Sequence, residues 1–287
     1  MNASTEPSNK ANSRLRIGLA LGGGGARGLA HLPILDVFDK KGIRPAHISG
    51  TSAGAIVGAL YASGMPAARI REWADSRIIA KEDKLGDILR KKHALKAIEF
   101  FDLSFDPSGL IKGERFLEVL GEALGVTTFE ELQIPLSIVT SDFWSSEQVI
   151  LDSGPILPAI RASMSLPGVF TPVQHQGRIL VDGGGVNPVP HDILTDCDRV
   201  VAIDVMGNPG ESNPEESPKL FRSVIGMFDI MQNTIIRQRR DANPPDLYLK
   251  PDIRGCDVLE FNKANSVYSK GEASAHELEH WLDSLTQ

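Results

Sequence analysis

Ile48-Ser49-Gly50-Thr51-Ser52-Ala53-Gly54-Ala55-Ile56-Val57-Gly58-Ala59-Leu60 joins a short extended run to a helix of small residues across a G-x-S-x-G turn. A nucleophilic serine needs such a strand-to-helix turn, strained enough to push its hydroxyl clear of the sheet. Gly50 and Gly54 flank Ser52, as expected where a Cβ would collide with strand or helix in a tight bend. The helix dipole that follows favours negative charge developing at Ser52. G-x-S-x-G is a short pattern, so its surroundings must support it.

Upstream stands Leu15-Arg16-Ile17-Gly18-Leu19-Ala20-Leu21, a buried-strand pattern that runs into Gly22-Gly23-Gly24-Gly25-Ala26-Arg27-Gly28. A helix is expected over about Leu29 to Lys41. A glycine loop that caps a strand and opens a helix turns backbone N–H groups toward an anion. Beside a serine nucleophile that anion is the oxyanion of a tetrahedral intermediate. Gly23-x-Gly25-x-x-Gly28 also fits the dinucleotide fingerprint, which requires an acidic residue about 20 positions on, at the end of the second strand. That place holds His47-Ile48-Ser49-Gly50-Thr51-Ser52 and no carboxylate. Acyl transfer is therefore preferred to a dinucleotide-binding module.

The chain has 287 residues, 41% apolar and 23% charged, enough for one large α/β domain with a full core. A net charge of −7 with no basic block argues against a nucleic-acid partner. Two cysteines, Cys197 and Cys256, make no disulfide framework and imply a reducing, cytoplasmic setting. Residues 1–13 are polar, without the apolar core of a secretory signal, and read as a disordered tail before a domain over 14–287. No apolar run approaches the ~18 residues of a membrane span, so membrane contact is at most peripheral.

Further strands are expected at Pro135–Thr140, Gly177–Asp182, Arg199–Val205 and Asp246–Lys250. Helices are expected at Ala53–Ser63, Pro66–Ser76, Lys112–Gly125, Leu157–Ser165, Pro218–Arg240 and Ser269–Leu285. Strands alternating with helices imply a mainly parallel sheet covered on both faces, a three-layer α/β/α architecture. In the helix from Pro218, the apolar stripe Leu220, Val224, Met227, Phe228, Met231 and Ile235 reads as core, with a homo-oligomer contact as the alternative. Lys81–Lys96 is charged. The aromatic-rich Ile98–Ile111 reads as core packing, with a lid or interfacial patch as the alternative. Glu211–Glu216 reads as a polar loop.

The serine needs a proton acceptor. Among the seven histidines, His276 and His280 lie within the closing helix, and His191 follows Pro190 at an expected helix start. Each reads as a surface or capping residue, although a Ser–His–Asp esterase remains the rival arrangement. His276-Glu277-Leu278-Glu279-His280 matches the H-E-x-x-H pattern of zinc proteases, which needs a third ligand and an enclosing cleft, but only seven residues follow and Asp283 alone among them could ligate. It reads as an amphipathic helix with Leu278, Trp281 and Leu285 inward. Asp182 ends a strand and precedes Gly183-Gly184-Gly185, at the edge where catalytic groups of open parallel sheets gather. A buried carboxylate there could take the serine proton directly. The competing reading is an aspartate that stabilises a glycine turn.

The glycine loop, the elbow at Ser52 and the Asp182-Gly183-Gly184 turn resemble, in order and spacing, those of patatin-like phospholipases. The block Ala162-Ser163-Met164-Ser165-Leu166-Pro167-Gly168-Val169-Phe170-Thr171-Pro172 looks like the one those enzymes carry before their aspartate. The likeness covers about residues 15–190. Its length resembles single-domain bacterial members, related to the catalytic domain of neuropathy-target-esterase-type lysophospholipases. The resemblance implies a Ser52–Asp182 dyad, an oxyanion hole at Gly23, Gly24, Gly25, Arg27 and Gly28, and a lipid or other acyl-ester substrate. It implies neither a metal nor an organic cofactor. Arg27 would fix the loop or meet a lipid phosphate; the alternative is a solvated arginine at a helix start. A patatin-fold membrane adaptor is a further rival, one to which an intact dyad would be superfluous.

Overall fold

A computed structural model describes residues 15–77, 112–207 and 220–285. The charged and aromatic stretches at 81–96 and 98–111, the polar loop at 211–216 and the N-terminal tail lie outside the described residues. The strands are β1 (Ile17–Leu21), β2 (His47–Thr51), β3 (Leu136–Asp142), β4 (Gln148–Leu151), β5 (Val173–His175), β6 (Arg178–Asp182), β7 (Arg199–Ile203) and β8 (Leu247–Leu249). The helices are α1 (His31–Lys41), α2 (Ala53–Ala62), α3 (Ala67–Arg77), α4 (Glu114–Leu124), α5 (Ile156–Ser163), α6 (Leu220–Ala242) and α7 (Ala264–Ser284). A 3-10 turn, Gly25–Ala30, precedes α1 and takes the place of the helical start expected at Leu29.

The strands form one sheet in the order β5-β6-β3-β2-β1-β7-β8, with β4 paired to β3. From β3 through β8 the neighbours along this path are parallel. β4, β5 and β6 make an antiparallel flank. β4 and β5 were absent from the sequence reading. They are short, and β5 reaches β6 through a turn at Gln176 and Gly177, both with positive φ.

Alternation along β1 divides the interior. Ile17, Leu19 and Leu21 join the main core with residues of α1, α2, α3, α4, α5 and α7. Ala20 points the other way, into a smaller cluster with Val189, Leu194, Ala202, Met206 and Ile236. The expected coverage of both faces is present but unequal, with α6 contributing Ile236 on the thinner side.

One detail of pairing places the site. Val139 pairs with Thr51 of β2 and with Ile150 of β4. Thr140 pairs with Val149 of β4 and with Asp182 of β6. A strand has two edges, and β4 holds one of them throughout. β2 and β6 therefore share the other edge and meet there with their C-terminal ends facing each other. The next residue of β2 is Ser52 and the last residue of β6 is Asp182.

Candidate active site

Ser52 sits at φ 53° and ψ −118°, the left-handed half of backbone space that residues other than glycine rarely enter. That conformation lifts the side chain off the sheet. It requires bare neighbours. A Cβ on Gly54 would lie 2.0 Å from the carbonyl oxygen of Leu21, and one on Gly50 would lie 2.8 Å from the amide nitrogen of Ala55. The elbow is pinned from below by Ser163. Its Oγ accepts the Ser52 N–H at 2.9 Å and donates to the Val139 carbonyl at 2.7 Å. Two residues on, the Ser165 carbonyl accepts the Asp182 N–H at 3.0 Å. The Ser163-Met164-Ser165 segment thus fixes both Ser52 and Asp182, which accounts physically for the fourth motif of the sequence.

Asp182 is 4% exposed. Its Oδ1 accepts the Gly184 N–H at 2.7 Å, and both it and Ser52 line the same cavity. Burial pushes its pKa from 3.8 up to about 6, against the opposing pull of the Gly184 amide and the Ser52 side chain. Asp182 therefore stabilises its glycine turn and faces the serine at once, so the two sequence readings of this residue are compatible. A carboxylate with raised proton affinity, set in the same cavity as a serine hydroxyl, is equipped to receive that proton.

The glycine loop lies alongside. A Cβ on Gly23 would come within 3.3 Å of the Ser52 Cβ, and one on Gly28 within 2.7 Å of the Ala53 Cβ. The loop's N–H groups are not all free. Gly23 donates to Pro188 O at 2.9 Å, Ala26 to Val258 O at 2.8 Å and Arg27 to Gly24 O at 3.2 Å. This corrects the expectation that the whole loop from Gly23 to Gly28 offers donors, because the Gly23 and Arg27 amides are already committed within the fold. The N–H groups of Gly24 and Gly25 make no hydrogen bond to the described residues. Gly25 has φ +57°, and a Cβ there would lie 2.2 Å from Val258 O, so this turn admits no side chain.

Arg27 is 3% exposed, which overturns the reading of a solvated arginine. Its Nε donates to Cys256 O at 2.8 Å and its Nη2 pairs with Asp229 of α6 at 3.2 Å. The sequence carried no local signal of this, since Asp229 lies 202 positions away. Arg27 thereby ties the glycine loop to α6 and to the segment around Cys256.

Ser52, Asp182, Gly23, Gly24, Gly25 and Gly28 line one cavity of about 130 Å³. The rest of its wall is largely apolar. Ala53, Ile56, Val57 and Leu60 of α2 face it at helical spacing, opposed by Leu29 and Leu32, by Ile70 and Trp73 of α3, and by Phe116. Ile225, Phe228, Asp229 and Gln232 of α6 close another side.

Among the described residues no histidine lines this cavity. His31 is fully buried and bonds Gly22 O through Nε2 at 2.9 Å; burial lowers its pKa to about 4. His191, expected to be a surface or capping residue, is buried between Val189 O and Asn243 O at the start of a 3-10 turn. His276 and His280 are exposed on α7, whose Leu278 is buried. No group of three metal-ligating side chains occurs among the described residues. None of the described helices is long and apolar enough to cross a membrane.

Residues 19–195 match the family model of patatin-like phospholipases. An uncharacterised NTE family protein of Mycobacterium tuberculosis is 31% identical over 231 residues, covering 77% of this chain and 60% of the relative. The neuropathy target esterase sws of Drosophila melanogaster is 32% identical over 283 residues, covering 89% of this chain and 19% of that protein. The chain thus spans 60% of the length of the mycobacterial relative and a fifth of the insect one. Among solved structures, VipD from Legionella pneumophila superposes with a TM-score of 0.55 at 14% identity, covering 94% of this chain and 67% of VipD. That likeness concerns the fold.

Proposed function

The chain belongs to the patatin-like phospholipase family, and from that premise we propose that it hydrolyses acyl esters of lipids through a Ser52–Asp182 dyad. The observation that carries the reading is a strained, elbow-borne serine set in one cavity beside a buried carboxylate whose pKa is raised to about 6. Ser52 Oγ attacks the ester carbonyl carbon as its proton passes to Asp182. The N–H groups of Gly24 and Gly25 stabilise the oxyanion, assisted by the positive end of α2. Collapse breaks the bond to the alcohol oxygen, which takes the proton from Asp182. Water then attacks the acyl-enzyme and gives its proton to Asp182. As the bond to Ser52 breaks, that proton returns to Oγ and the fatty acid leaves. A fluorophosphonate that forms its adduct on Ser52, located by peptide mass spectrometry, is the expected result. Labelling elsewhere, or none on a protein that hydrolyses esters, would remove the proposal.

The cavity favours one acyl chain. Its volume is about 130 Å³, on the order of the ~150 Å³ engineered cavity that admits a single benzene ring. From Ser52 to Leu60 the α2 wall runs roughly 12 Å. This suits single-chain esters such as lysophospholipids, and a Kluyveromyces lactis relative that is 28% identical is named a lysophospholipase. Ile56 lines the cavity one turn beyond Ser52 and is partly exposed. Ile56→Trp is expected to displace two or three methylenes of a bound chain, at ~0.8 kcal/mol each. That corresponds to a loss of about 30-fold in kcat/KM for long-chain esters, with p-nitrophenyl acetate within about two-fold of wild type. An equal loss on both substrates would place the chain elsewhere.

A further inference from the structure

Helix α6 is apolar on opposite faces. Ile225, Phe228 and Gln232, with Asp229, line the cavity. Val224, Met227, Ile230 and Met231 project on the other side and are exposed by 49% to 57%. The expected assignment of Val224, Met227 and Met231 to the core does not hold. A helix apolar all round is normally buried on all sides, so half of this one lacks its natural surroundings. Between Ser223 and Ile236 the sequence holds one charged residue, Asp229, and that side chain is buried against Arg27. Arg222 and Arg237 flank the stretch. Leu259 lines the cavity and is itself 45% exposed. The cavity wall and the outer apolar face thus share helix α6.

Position agrees with composition. Asp229 reaches Arg27 in the loop that follows β1, and a Cβ on Gly184, just past the end of β6, would touch the Gln232 amide. The middle of α6 thus lies over the sheet edge that carries Ser52 and Asp182. β3 extends past the same edge into a turn that carries Phe143 and Trp144, exposed by 52% and 79%.

We propose that the outer face of α6, with Leu259, is the surface by which the protein rests on a lipid layer while an acyl chain enters the cavity. The identity of the occupant rests on the proposed lipid hydrolysis. A single tail leaving a bilayer needs an apolar path, and α6 is apolar both where it is exposed and where it lines the cavity. A second protein copy fits less well. From Val224 to Met231 the stripe runs roughly 10 Å, and four side chains fall short of the ~800 Å² per partner of a standard protein interface. Insertion of an uncharged, apolar helical face flanked by arginines is a common mode of interfacial binding.

The test is co-flotation with phosphatidylcholine vesicles, read for wild type, for Ser52→Ala and for the double variant Met227→Glu/Met231→Glu. Neither methionine lines the cavity. Wild type and Ser52→Ala are expected to float alike, and the double variant to bind at least ten-fold more weakly. Its hydrolysis of p-nitrophenyl butyrate is expected within about two-fold of wild type, which also reports that it is folded. Absence of flotation by wild type, or unchanged flotation by the double variant, would overturn the proposal. So would a wild-type dimer in light scattering that the double variant converts to monomer. Flotation without hydrolysis of any ester would sink the enzymatic reading and leave a lipid-binding surface. Hydrolysis without flotation would sink the surface alone.

Discussion

Ser52→Ala is expected to lower kcat for p-nitrophenyl butyrate by about 10⁴–10⁶, the range seen when a nucleophile of a concerted set is removed. The loss is a loss of chemistry, because alanine keeps the Cβ and therefore keeps the backbone at φ 53°. The cavity wall and the Ser163 contact to the residue-52 amide should persist. Substrate binding, read by inhibition with a non-hydrolysable ether lipid, is expected to be unchanged. Ser52→Gly separates catalysis from strain. Glycine occupies positive φ without penalty, and a non-glycine residue held in a rare backbone region costs on the order of 1–3 kcal/mol. Ser52→Gly should thus be as inactive as Ser52→Ala yet unfold at a higher temperature. Turnover by Ser52→Ala within a hundred-fold of wild type would dismiss Ser52 as nucleophile. Equal melting temperatures for the alanine and glycine forms would deny that the elbow stores strain.

What could be read from the sequence was what is local in it. The run from β1 through the glycine loop to α1, and from β2 through the elbow to α2, carries its own punctuation. Its glycines mark places where backbones approach closely, and the structure shows what each would hit. The strand that ends at Asp182 was legible for the same reason. Unreadable was the relation between them. Nothing near Thr51 or Asp182 says that β2 and β6 share one edge of β3. That follows from β4 holding the other edge, and β4 is a four-residue strand with a mixed pattern. The sequence left Arg27 open between fixing the loop, meeting a lipid phosphate and lying in solvent, because its ion-pair partner is distant. The α6 stripe was assigned to the core because a 3.6-residue period identifies an apolar face but not what it meets. In α6 apolar residues occupy two faces, and periodicity alone gives no reason to choose the inward one. His191 was read as a surface or capping residue from its place after Pro190, whereas its ring is buried and held by backbone carbonyls on two sides.

Asp182→Asn is expected to reduce kcat/KM by about 10³–10⁴, the effect of losing a general base while geometry is kept. The amide oxygen can still accept the Gly184 N–H, so the glycine turn should hold, but an amide cannot take the serine proton. The wild-type pH profile should carry the same signature. With a pKa near 6, Asp182 is largely protonated at pH 5 and cannot act as base. Activity should rise through pH 6 to a plateau above pH 7. Stability should move in the opposite sense. The folded pKa lies above the unfolded value of 3.8, so the folded protein binds the Asp182 proton more tightly. Its contribution is complete below about pH 4 and is lost as pH rises through 6. A two-unit shift corresponds to about 3 kcal/mol, the cost of holding the buried carboxylate charged at pH 8. Asparagine carries no charge. Asp182→Asn should therefore unfold at higher denaturant concentration than wild type at pH 8, and this advantage should vanish at pH 4. Urea titrations at the two pH values measure it. A variant that keeps its turnover would remove Asp182 from the chemistry. A variant that is inactive but no more stable at pH 8 would show that the carboxylate is not held charged against its surroundings, and the source of its basicity would have to be sought in water reaching the dyad.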